Sequence, residues 1–344
     1  MKVVIVGGGF CGSILAKKLD HHPTIETTLV DKNEFFEYYP SLPKILTQPS
    51  LKDKITISYD TFLSNAELMN DTIEYVTPDH VRLENNKIDF DKLVISTGAD
   101  YPIKLDNTKN IYKVNSVANT LSLSKELQPS EHILIIGGGL IGVEVCAELA
   151  TNTSKKLTLV HGHDRLLERN PKKASEYAAE FIENYGVELI YNDKVLENKN
   201  NFMTEKDRII DADIAIWAAG LGFDRSFFKN FEDEVFSENW GLRVDKKLRL
   251  FGYKNIYVGG DITSLDEEKT GHNADVHGKH IYKNLRRQDS GKELLDYKHK
   301  GAPMVISLGR NDGIMIFKDK ILKGKVPSIP KKLLEKGALE RLKF

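Results

Sequence analysis

The alternation of apolar and polar positions divides the chain into short strands and helices. Aliphatic runs at 3–6 and 133–136 have the length and β-branched content of buried parallel strands. Each run is followed by a glycine-rich turn and then by apolar residues at helical spacing. Further strands at 27–31 and 156–160 and a helix at 172–184 continue the alternation. The pattern predicts an α/β fold with parallel sheets.

The same glycine signature, G-x-G-x-x-G, follows both aliphatic runs, at Gly7, Gly9 and Gly12 and again at Gly137, Gly139 and Gly142. The first glycine allows a tight turn, the second lets backbone approach a pyrophosphate, and the third lets helix pack closely on strand. The helix N-terminus then offers free N–H groups to the anion. Two copies predict two bound dinucleotides, with electrons passing between them.

The repeat extends beyond the glycines. Asp31 ends the second strand 19 residues after the first turn, where a carboxylate binds ribose hydroxyls. His161 stands at the same spacing after the second turn. Later buried strands in both halves end in small-residue turns, at 97–98 and 218–220. The whole unit, and not only its glycines, is therefore duplicated.

His161 occupies the place where an acid would select NADH, by binding the 2′-hydroxyl and repelling a 2′-phosphate. His163 and Arg165 follow it closely. We therefore expect NADPH to be accepted through charge-assisted contacts. The alternative is that these are exposed loop residues and that selection between the two nucleotides is merely relaxed.

Composition sets wider limits. A chain of 344 residues with 40% hydrophobic residues has enough core for two or three domains. The net charge of −1 gives no indication of nucleic-acid binding. No apolar run reaches the roughly 18–20 residues of a spanning helix, and the N-terminus does not read as a signal peptide. A cytoplasmic location is expected.

The C-terminal segment differs in charge from the rest. Residues 318–344 contain nine Lys/Arg and three Asp/Glu, and residues 331–344 mix lysines with leucines at 333, 334, 339 and 342. This pattern is typical of a basic amphipathic helix lying at a membrane surface. Gly337 interrupts the helix, and docking on the protein's own surface or a homodimer contact are the alternatives.

The two cysteines, Cys11 and Cys146, each lie near the start of a helix that follows a glycine turn. Neither belongs to a C-x-x-C pair, so we expect buried packing residues and no dithiol relay. The histidines show no metal-ligand spacing, and no metal is expected.

In their order along the chain, the motifs resemble the two-dinucleotide-binding-domain flavoproteins: the turn with Asp31, Thr97-Gly98, the second turn, Ala219-Gly220 and Gly259-Gly260-Asp261. The resemblance covers about residues 1–290. It implies an FAD domain formed by 1–104 and 225–300, an inserted NAD(P)H domain at 105–224, and a small C-terminal region at 301–344. Segments 157–161 and 304–313 are similar to the apoptosis-inducing-factor-like branch. That branch includes ferroptosis suppressor protein and is akin to type II NADH dehydrogenases.

The resemblance implies an FAD site formed by Gly7, Gly9, Phe10, Cys11, Gly12, Asp31, Lys32, Lys44, Ile73, Thr97, Gly98, Asp261 and His272. It implies an NAD(P)H site formed by Gly137, Gly139, Leu140, Ile141, Gly142, His161, Arg165, Ala219 and Gly220. Asp261 would bind the ribityl chain, and the helix near His272 would direct its positive end at the flavin. Lys44 would lie near the flavin; a solvated loop lysine is the alternative.

The resemblance also places a catalytic residue and an acceptor site. Glu144 would lie near nicotinamide and flavin, orienting them or relaying a proton. The alternative is an ordinary glutamate favoured by the helix dipole. Tyr38, Tyr39 and Pro40 would line the isoalloxazine and admit a flat quinone, with aromatic packing under a loop as the alternative.

The function implied is that of an FAD-dependent NAD(P)H oxidoreductase that reduces a quinone-type acceptor. One alternative is a reductase of a small iron–sulfur electron carrier. Another is a redox-sensing interaction protein with slow turnover. Because acceptor sites are built from variable surfaces, the choice among them is left open by the residues.

Overall fold

The computed structural model describes residues 1–84, 86–198, 201–238 and 240–343. For six of these residues it describes the backbone alone, namely Asn198, Ser328, Ile329, Pro330, Lys332 and Leu334. Phe344 of the predicted C-terminal helix lies outside the described residues.

In chain order the strands are β1 (Lys2–Val6), β2 (Glu26–Asp31), β3 (Phe35–Glu37), β4 (Thr56–Ser58), β5 (Glu67–Asn70), β6 (Ile73–Val76), β7 (His80–Leu83), β8 (Lys87–Asp89), β9 (Lys92–Ile95), β10 (Ile111–Tyr112), β11 (His132–Ile136), β12 (Lys156–His161), β13 (Glu188–Tyr191), β14 (Val195–Asn198), β15 (Phe202–Thr204), β16 (Ile209–Ile210), β17 (Ile214–Trp217), β18 (Ile256–Val258), β19 (Met304–Leu308), β20 (Asp312–Phe317) and β21 (Lys320–Gly324).

The helices are α1 (Phe10–Leu19), α2 (Leu42–Ile45), α3 (Lys52–Ile55), α4 (Val117–Glu126), α5 (Leu140–Asn152), α6 (Lys172–Asn184), α7 (Gly271–Asp289) and α8 (Ser328–Lys343). Short 3₁₀ turns occur at Tyr39–Ser41, Pro49–Leu51, Tyr59–Thr61, Arg225–Phe227 and Asp233–Val235.

The described strands form two parallel five-stranded sheets. The first has the order β18-β9-β1-β2-β5, and the second has the order β10-β17-β11-β12-β13. In each sheet the strand before the glycine turn is central, with neighbours paired to it in parallel register on both sides. These central strands are buried, which explains their continuous aliphatic runs.

Helices cover the sheets and set the position of the glycine turns. α7 crosses α1 so closely that a Cβ at Gly278 would lie 2.5 Å from the carbonyl oxygen of Cys11. Only a residue without a side chain permits that approach. The N-terminal end of α7 is thereby brought toward the turn that precedes α1, where Gly271 faces the ring of Phe10.

Asp100 and Gly222 are paired where the chain passes between the two sheets. The backbone N–H of Asp100 donates to the carbonyl of Gly222 at 2.9 Å, and the N–H of Gly222 donates back at 2.8 Å. The strands of the second sheet all lie between these two residues in the sequence. The domain boundaries at 104/105 and 224/225 fall close to this pair and stay a prediction.

The C-terminal region is a three-stranded antiparallel sheet, β19-β20-β21, followed by α8. Smaller antiparallel sheets are formed by β6-β7-β8, β14-β15-β16 and β3-β4. Within the described ranges, every helix is too short or too polar to cross a bilayer.

Candidate functional site

The two glycine turns have matching backbone conformations. The first glycine of each is left-handed, with φ of 93° at Gly7 and 110° at Gly137. That region is strained for residues with a side chain. A Cβ on Gly12 would collide with the Gly7 carbonyl, and one on Gly142 with the Gly137 carbonyl. Each helix therefore packs directly on the strand before it.

The helix ends that follow the turns are open. Gly9 and Gly139 are the N-cap residues of α1 and α5, and no side chain caps either helix. A Cβ built on either glycine would meet nothing within 4 Å. Free N–H groups, the positive end of a helix dipole and open space together suit a pyrophosphate. The residues present thus fit one dinucleotide at each turn.

Asp31 ends β2 beside the first turn. Its Oδ2 accepts the N–H of Gly8 at 2.5 Å, and its Oδ1 accepts the N–H of Asn33 at 2.8 Å. Burial raises the pKa of Asp31, although these two hydrogen bonds oppose the rise. The carboxylate is therefore oriented at the end of the strand, where the sequence predicted that it binds ribose.

Other predicted residues of the first site lie at the same edge of the sheet. Thr97 and Gly98 follow β9, and Gly259 to Asp261 follow β18, next to β9. Burial raises the pKa of Asp261, and the nearby Lys269 and His277 oppose it. His272 lies in the first turn of α7 and is exposed.

Lys32 and Ile73, also predicted to bind FAD, differ in exposure. Lys32 is exposed. Ile73 begins β6, and its side chain packs on an apolar cluster that contains Val76 and Val81. Their contacts with the cofactor stay a prediction.

The second turn is bordered in the same way. Leu140 and Ile141 open α5 with partly buried side chains, and Ala219 and Gly220 follow β17. His161 ends β12, and its Nδ1 accepts the N–H of Gly138 at 3.0 Å. This contact matches the one that Asp31 makes with Gly8.

His161 is not an exposed loop residue, because it is only 6% accessible. That part of the alternative prediction is wrong, and His163 alone of the two histidines is exposed. The Nε2 of His161 lies 3.2 Å from Oε2 of Glu168. The sequence analysis missed Glu168, because the loop after β12 gave no signal of where this carboxylate would lie.

Arg165 does not direct its charge toward the open side of the second turn. Its Nη1 donates to the carbonyl of Asn170 at 3.0 Å, and its Nη2 donates to the carbonyl of Glu168. The guanidinium is thus used to close its own loop. The structure gives no support to the expected contact of Arg165 with a 2′-phosphate.

Glu144 of α5 is bound on two sides. Its Oε1 accepts the backbone N–H of Ser307 at 2.8 Å and the ammonium of Lys331 at 2.5 Å. The side chains of Glu144 and Lys331 are 12% and 9% exposed. An ordinary surface glutamate of a helix N-terminus would not be enclosed in this way. Ser307 and Lys331 were not predicted.

Lys44 lies in α2 and is also paired with α8. Its Nζ is 2.7 Å from Oε2 of Glu335, which accepts a further hydrogen bond from Ser41 at 2.7 Å. The interpretation of Lys44 as a solvated loop lysine is therefore wrong. Glu335 stands four residues after Lys331, so α8 presents both charges along one face. That spacing was a signal in the sequence.

The aromatic segment lies between these groups. Tyr38 is buried, with its ring 5.5 Å from that of Phe10. Burial raises the pKa of Tyr38, and the carboxylates of Glu335 and Glu144 raise it further. Tyr39 is 41% exposed, and Pro40 is partly buried. Aromatic packing thus describes Tyr38, whereas Tyr39 keeps an accessible ring.

The thiols of Cys11 and Cys146 are both free and buried. Burial raises the pKa of each thiol well above its usual range. A protonated, enclosed thiol is a poor nucleophile. In the described part of the chain, no group of three His, Cys, Asp or Glu side chains is arranged to hold a metal ion.

Two dinucleotide turns of equal geometry on parallel sheets define a class, the flavoprotein oxidoreductases that bind FAD and a nicotinamide nucleotide. The chain belongs to the pyridine nucleotide-disulphide oxidoreductase family, whose model matches residues 1–282. It is accordingly an NAD(P)H-dependent flavoprotein oxidoreductase. The predicted fold class, cofactors and enzyme class are confirmed.

Individual proteins support the predicted branch. Apoptosis-inducing factor homolog A of Dictyostelium discoideum is 31% identical, covering 91% of this chain and 84% of its own. A type II NADH:quinone oxidoreductase of Staphylococcus epidermidis is 25% identical, covering 99% and 96%. The structure of NDH2 from Plasmodium falciparum in complex with NADH superposes with a TM-score of 0.86 at 17% identity, covering 99% and 97%. The resemblance to the apoptosis-inducing-factor-like and type II NADH dehydrogenase branch is confirmed.

Proposed function

We propose that the chain is an NAD(P)H:quinone oxidoreductase whose reaction centre lies where α5, α2 and α8 meet. The observation that carries the proposal is the pair of ionic contacts at that place, Glu144 with Lys331 and Lys44 with Glu335. They join the helix of the second glycine turn to the aromatic segment beside the first turn. Two nucleotides bound at the turns would direct their reactive rings toward this junction.

FAD, when bound, accepts a hydride from the nicotinamide and passes two electrons to the acceptor. The residues of this chain position that exchange. Glu144, fixed by Lys331 and the N–H of Ser307, would present an oriented carboxylate to a bound nicotinamide. A group held by two partners keeps its geometry between turnovers, which favours the reactive arrangement.

The class of acceptor is inferred from the side chains that could carry electrons away from the flavin or bind an acceptor beside it. The two thiols are buried and separate, so a dithiol step between flavin and acceptor has no residues to carry it. The accessible ring of Tyr39, next to buried Tyr38, offers a flat apolar surface of the kind that receives a quinone. The type II NADH:quinone oxidoreductase of Staphylococcus epidermidis, similar along nearly the whole chain, agrees with this choice.

An acceptor panel tests the proposal. The FAD-loaded protein, with NADH in excess, is given a soluble ubiquinone analogue, a menaquinone analogue, ferredoxin or rubredoxin, and oxygen alone. Turnover with a quinone at least about tenfold above turnover with the iron–sulfur proteins is expected. Preferential reduction of an iron–sulfur protein would identify the carrier reductase instead. Slow turnover with every acceptor would favour the redox-sensing alternative.

We also propose that the C-terminal region contacts a membrane surface that supplies the quinone. Its described side chains include four exposed apolar residues among many lysines, at Phe317, Leu322, Val326 and Leu333. Exposed apolar side chains with basic neighbours favour anionic lipid surfaces. The described ion pairs of α8 show that this helix also docks on the protein itself.

Point substitutions test the membrane contact better than truncation, because removing α8 would also remove Lys331 and Glu335. Phe317→Ser with Leu322→Ser is expected to reduce sedimentation with vesicles containing phosphatidylglycerol. Ile209 and Leu196 are also apolar and exposed but lie outside the C-terminal region, so Ile209→Ser with Leu196→Ser is the matched control. Absence of vesicle binding by the unaltered protein would contradict the proposal.

A further inference from the structure

The second glycine turn contains a histidine–carboxylate pair that has no counterpart in the first. In the first unit Asp31 itself accepts the N–H of the middle glycine. In the second unit His161 accepts it, and Glu168 lies behind the imidazole at 3.2 Å. The acid expected at the end of the strand is therefore present, but it is supplied from the following loop.

The hydrogen bonds determine which nitrogen of His161 bears the proton. The Nδ1 accepts an amide N–H at 3.0 Å, so it is unprotonated in this arrangement. The proton then lies on Nε2 and faces Oε2 of Glu168. Both of these atoms are buried and lie 3.2 Å apart, without the geometry of a hydrogen bond to each other or to another group. With Nδ1 accepting and the proton on Nε2, the ring is uncharged in this arrangement.

The loop is built to hold Glu168 in this place. The backbone N–H of Leu167 donates to the carbonyl of Gly138 at 2.9 Å, on the same residue whose N–H binds His161. Leu167 has φ of 50°, a left-handed conformation that a branched side chain adopts only at a cost. Arg165 closes the loop by donating to the carbonyl of Glu168.

The charge of the pair is negative. The imidazole of His161, 3.2 Å away, is the main reason that the pKa of Glu168 is lowered. Of the two arginines of this loop, Arg165 is bound to backbone carbonyls, and Arg169, which follows Glu168 in the chain, is exposed. The side chain of Glu168 is 30% exposed, so a ligand beside the turn can reach it.

We propose that Glu168, together with the uncharged His161, selects NADH over NADPH at the second turn. The carboxylate repels the 2′-phosphate of NADPH, and a neutral imidazole offers that phosphate no compensating charge. The 2′-hydroxyl of NADH meets no such penalty. Glu168 is thus a specificity-determining residue, and the expectation of NADPH acceptance through His161 and Arg165 is replaced. The proposal rests on the second turn binding the nicotinamide nucleotide.

The experiment uses the FAD-loaded protein and two probes that differ only in the 2′-phosphate. Affinities of 5′-AMP and 2′,5′-ADP are measured by calorimetry, and kcat/KM for NADH and NADPH is measured with one dye acceptor. The unaltered protein is expected to prefer the nucleotide without the phosphate by at least about tenfold. Glu168→Gln keeps an acceptor for Nε2–H but removes the charge. It should reduce this preference by at least about tenfold, mainly through the KM of NADPH.

Two further variants separate charge at this place from general effects. Asp164→Asn removes an exposed carboxylate from the same loop and should change the preference by less than about twofold. His161→Asp combined with Glu168→Gln returns an acid to the position equivalent to Asp31 and should restore the preference for NADH. A merely structural role of Glu168 would not be rescued in this way.

Equal use of NADH and NADPH by the unaltered protein would overturn the proposal. So would an unchanged preference in Glu168→Gln, or an equal change in Asp164→Asn. Discrimination between the two probes without reduction of any quinone would contradict only the proposed function. Failure to bind either probe would reject the assignment of the second turn, and this inference with it.

Discussion

Lys331 Nζ lies 2.5 Å from Glu144 Oε1, although 187 positions separate the two residues in the chain. The contact brings the last helix onto the helix of the second glycine turn. It also gives an otherwise enclosed carboxylate its counter-charge. Two predictions concern the two halves of this pair, because its loss is expected to affect catalysis and stability differently.

The first prediction concerns Glu144. Glu144→Gln keeps the size of the side chain but removes the charge that Lys331 and the N–H of Ser307 orient. Flavin reduction by NADH should slow by at least about tenfold, since positioned acid–base and orienting groups contribute at least that much. Stopped-flow loss of flavin absorbance measures it. FAD content should hold, as in the exposed control Glu340→Gln. Unchanged reduction would remove Glu144 from the mechanism.

The second prediction concerns Lys331. Lys331→Met leaves Glu144 enclosed without a counter-charge, which typically costs about 3 kcal/mol of the free energy of unfolding. The side chain of Lys336 is 72% exposed and its ammonium pairs with Glu340, so Lys336→Met should cost less than about 1 kcal/mol. Denaturant unfolding of the FAD-loaded proteins compares the two. Equal losses in both variants would show that the enclosed pair has no special contribution.

The third prediction assigns the two turns. A methyl group at Gly12 or Gly142 would collide with the carbonyl of the first glycine in the same turn. Gly12→Ala should therefore lose FAD on purification. Gly142→Ala should keep FAD but bind NADH at least about tenfold more weakly. Overpacking at the turn typically costs about 1–3 kcal/mol, and about 1.4 kcal/mol of binding free energy corresponds to a tenfold change in affinity. Gly337→Ala, where an added Cβ meets nothing within 4 Å, is the control. Loss of FAD in Gly142→Ala alone would reverse the assignment.

The fourth prediction concerns pH and Asp20, a buried carboxylate at the end of α1. Burial by itself would raise the pKa of Asp20, but hydrogen bonds from the backbone N–H groups of Ala66, Asn65 and Ser64 outweigh it and lower the pKa. A carboxyl whose pKa is lower in the folded than in the unfolded chain stabilises the fold at pH values above its pKa in the unfolded chain. That contribution is lost as the pH falls through its pKa in the folded chain.

Asp20→Asn should therefore lower the free energy of unfolding by about 2 kcal/mol near neutral pH. The difference from the unaltered protein should narrow as the pH falls below the ordinary aspartate value of 3.8. Unfolding titrations at several pH values measure the difference. Asp60→Asn, at an exposed position, is the control. A difference that grows toward acid pH would give the opposite sign and contradict the assignment.

The fifth prediction concerns the thiols. The family name refers to a disulphide, yet Cys146 is fully buried with a raised pKa. Cys146→Ser should retain NADH oxidation within about twofold while losing about 1–2 kcal/mol of stability, because a hydroxyl replaces a packed thiol. Steady-state turnover and unfolding measure the two effects. Loss of turnover with full stability and FAD content would point to thiol chemistry.

The parts of the fold that were predictable are those fixed by local sequence. The glycine turns demand their backbone conformation wherever they occur, so both were correctly placed. The helix expected at 172–184 has the bounds Lys172–Asn184, because its apolar spacing is strong and Gly186 ends it. The fold class follows from the alternation of such elements.

The site was only partly predictable, because its charged groups meet across long distances in the chain. Glu144 and Lys44 were named, but their partners on α8 come from the opposite end of the sequence. Periodicity records which face of a helix is buried and not what covers it. At position 161 the sequence showed a histidine in place of the expected acid. The loop geometry shows that Glu168 brings a carboxylate to the same place.

The reciprocal hydrogen bonds between Asp100 and Gly222 have a consequence for how this molecule could be rebuilt. The chain leaves the first sheet and comes back to it at this pair, and Glu144 of the intervening stretch is also bound by Ser307 and Lys331 of the C-terminal region. Exchange of the whole intervening stretch with that of another flavoprotein therefore needs one backbone junction together with matching partners for Glu144. Nucleotide preference would then move with the stretch and these contacts as one unit.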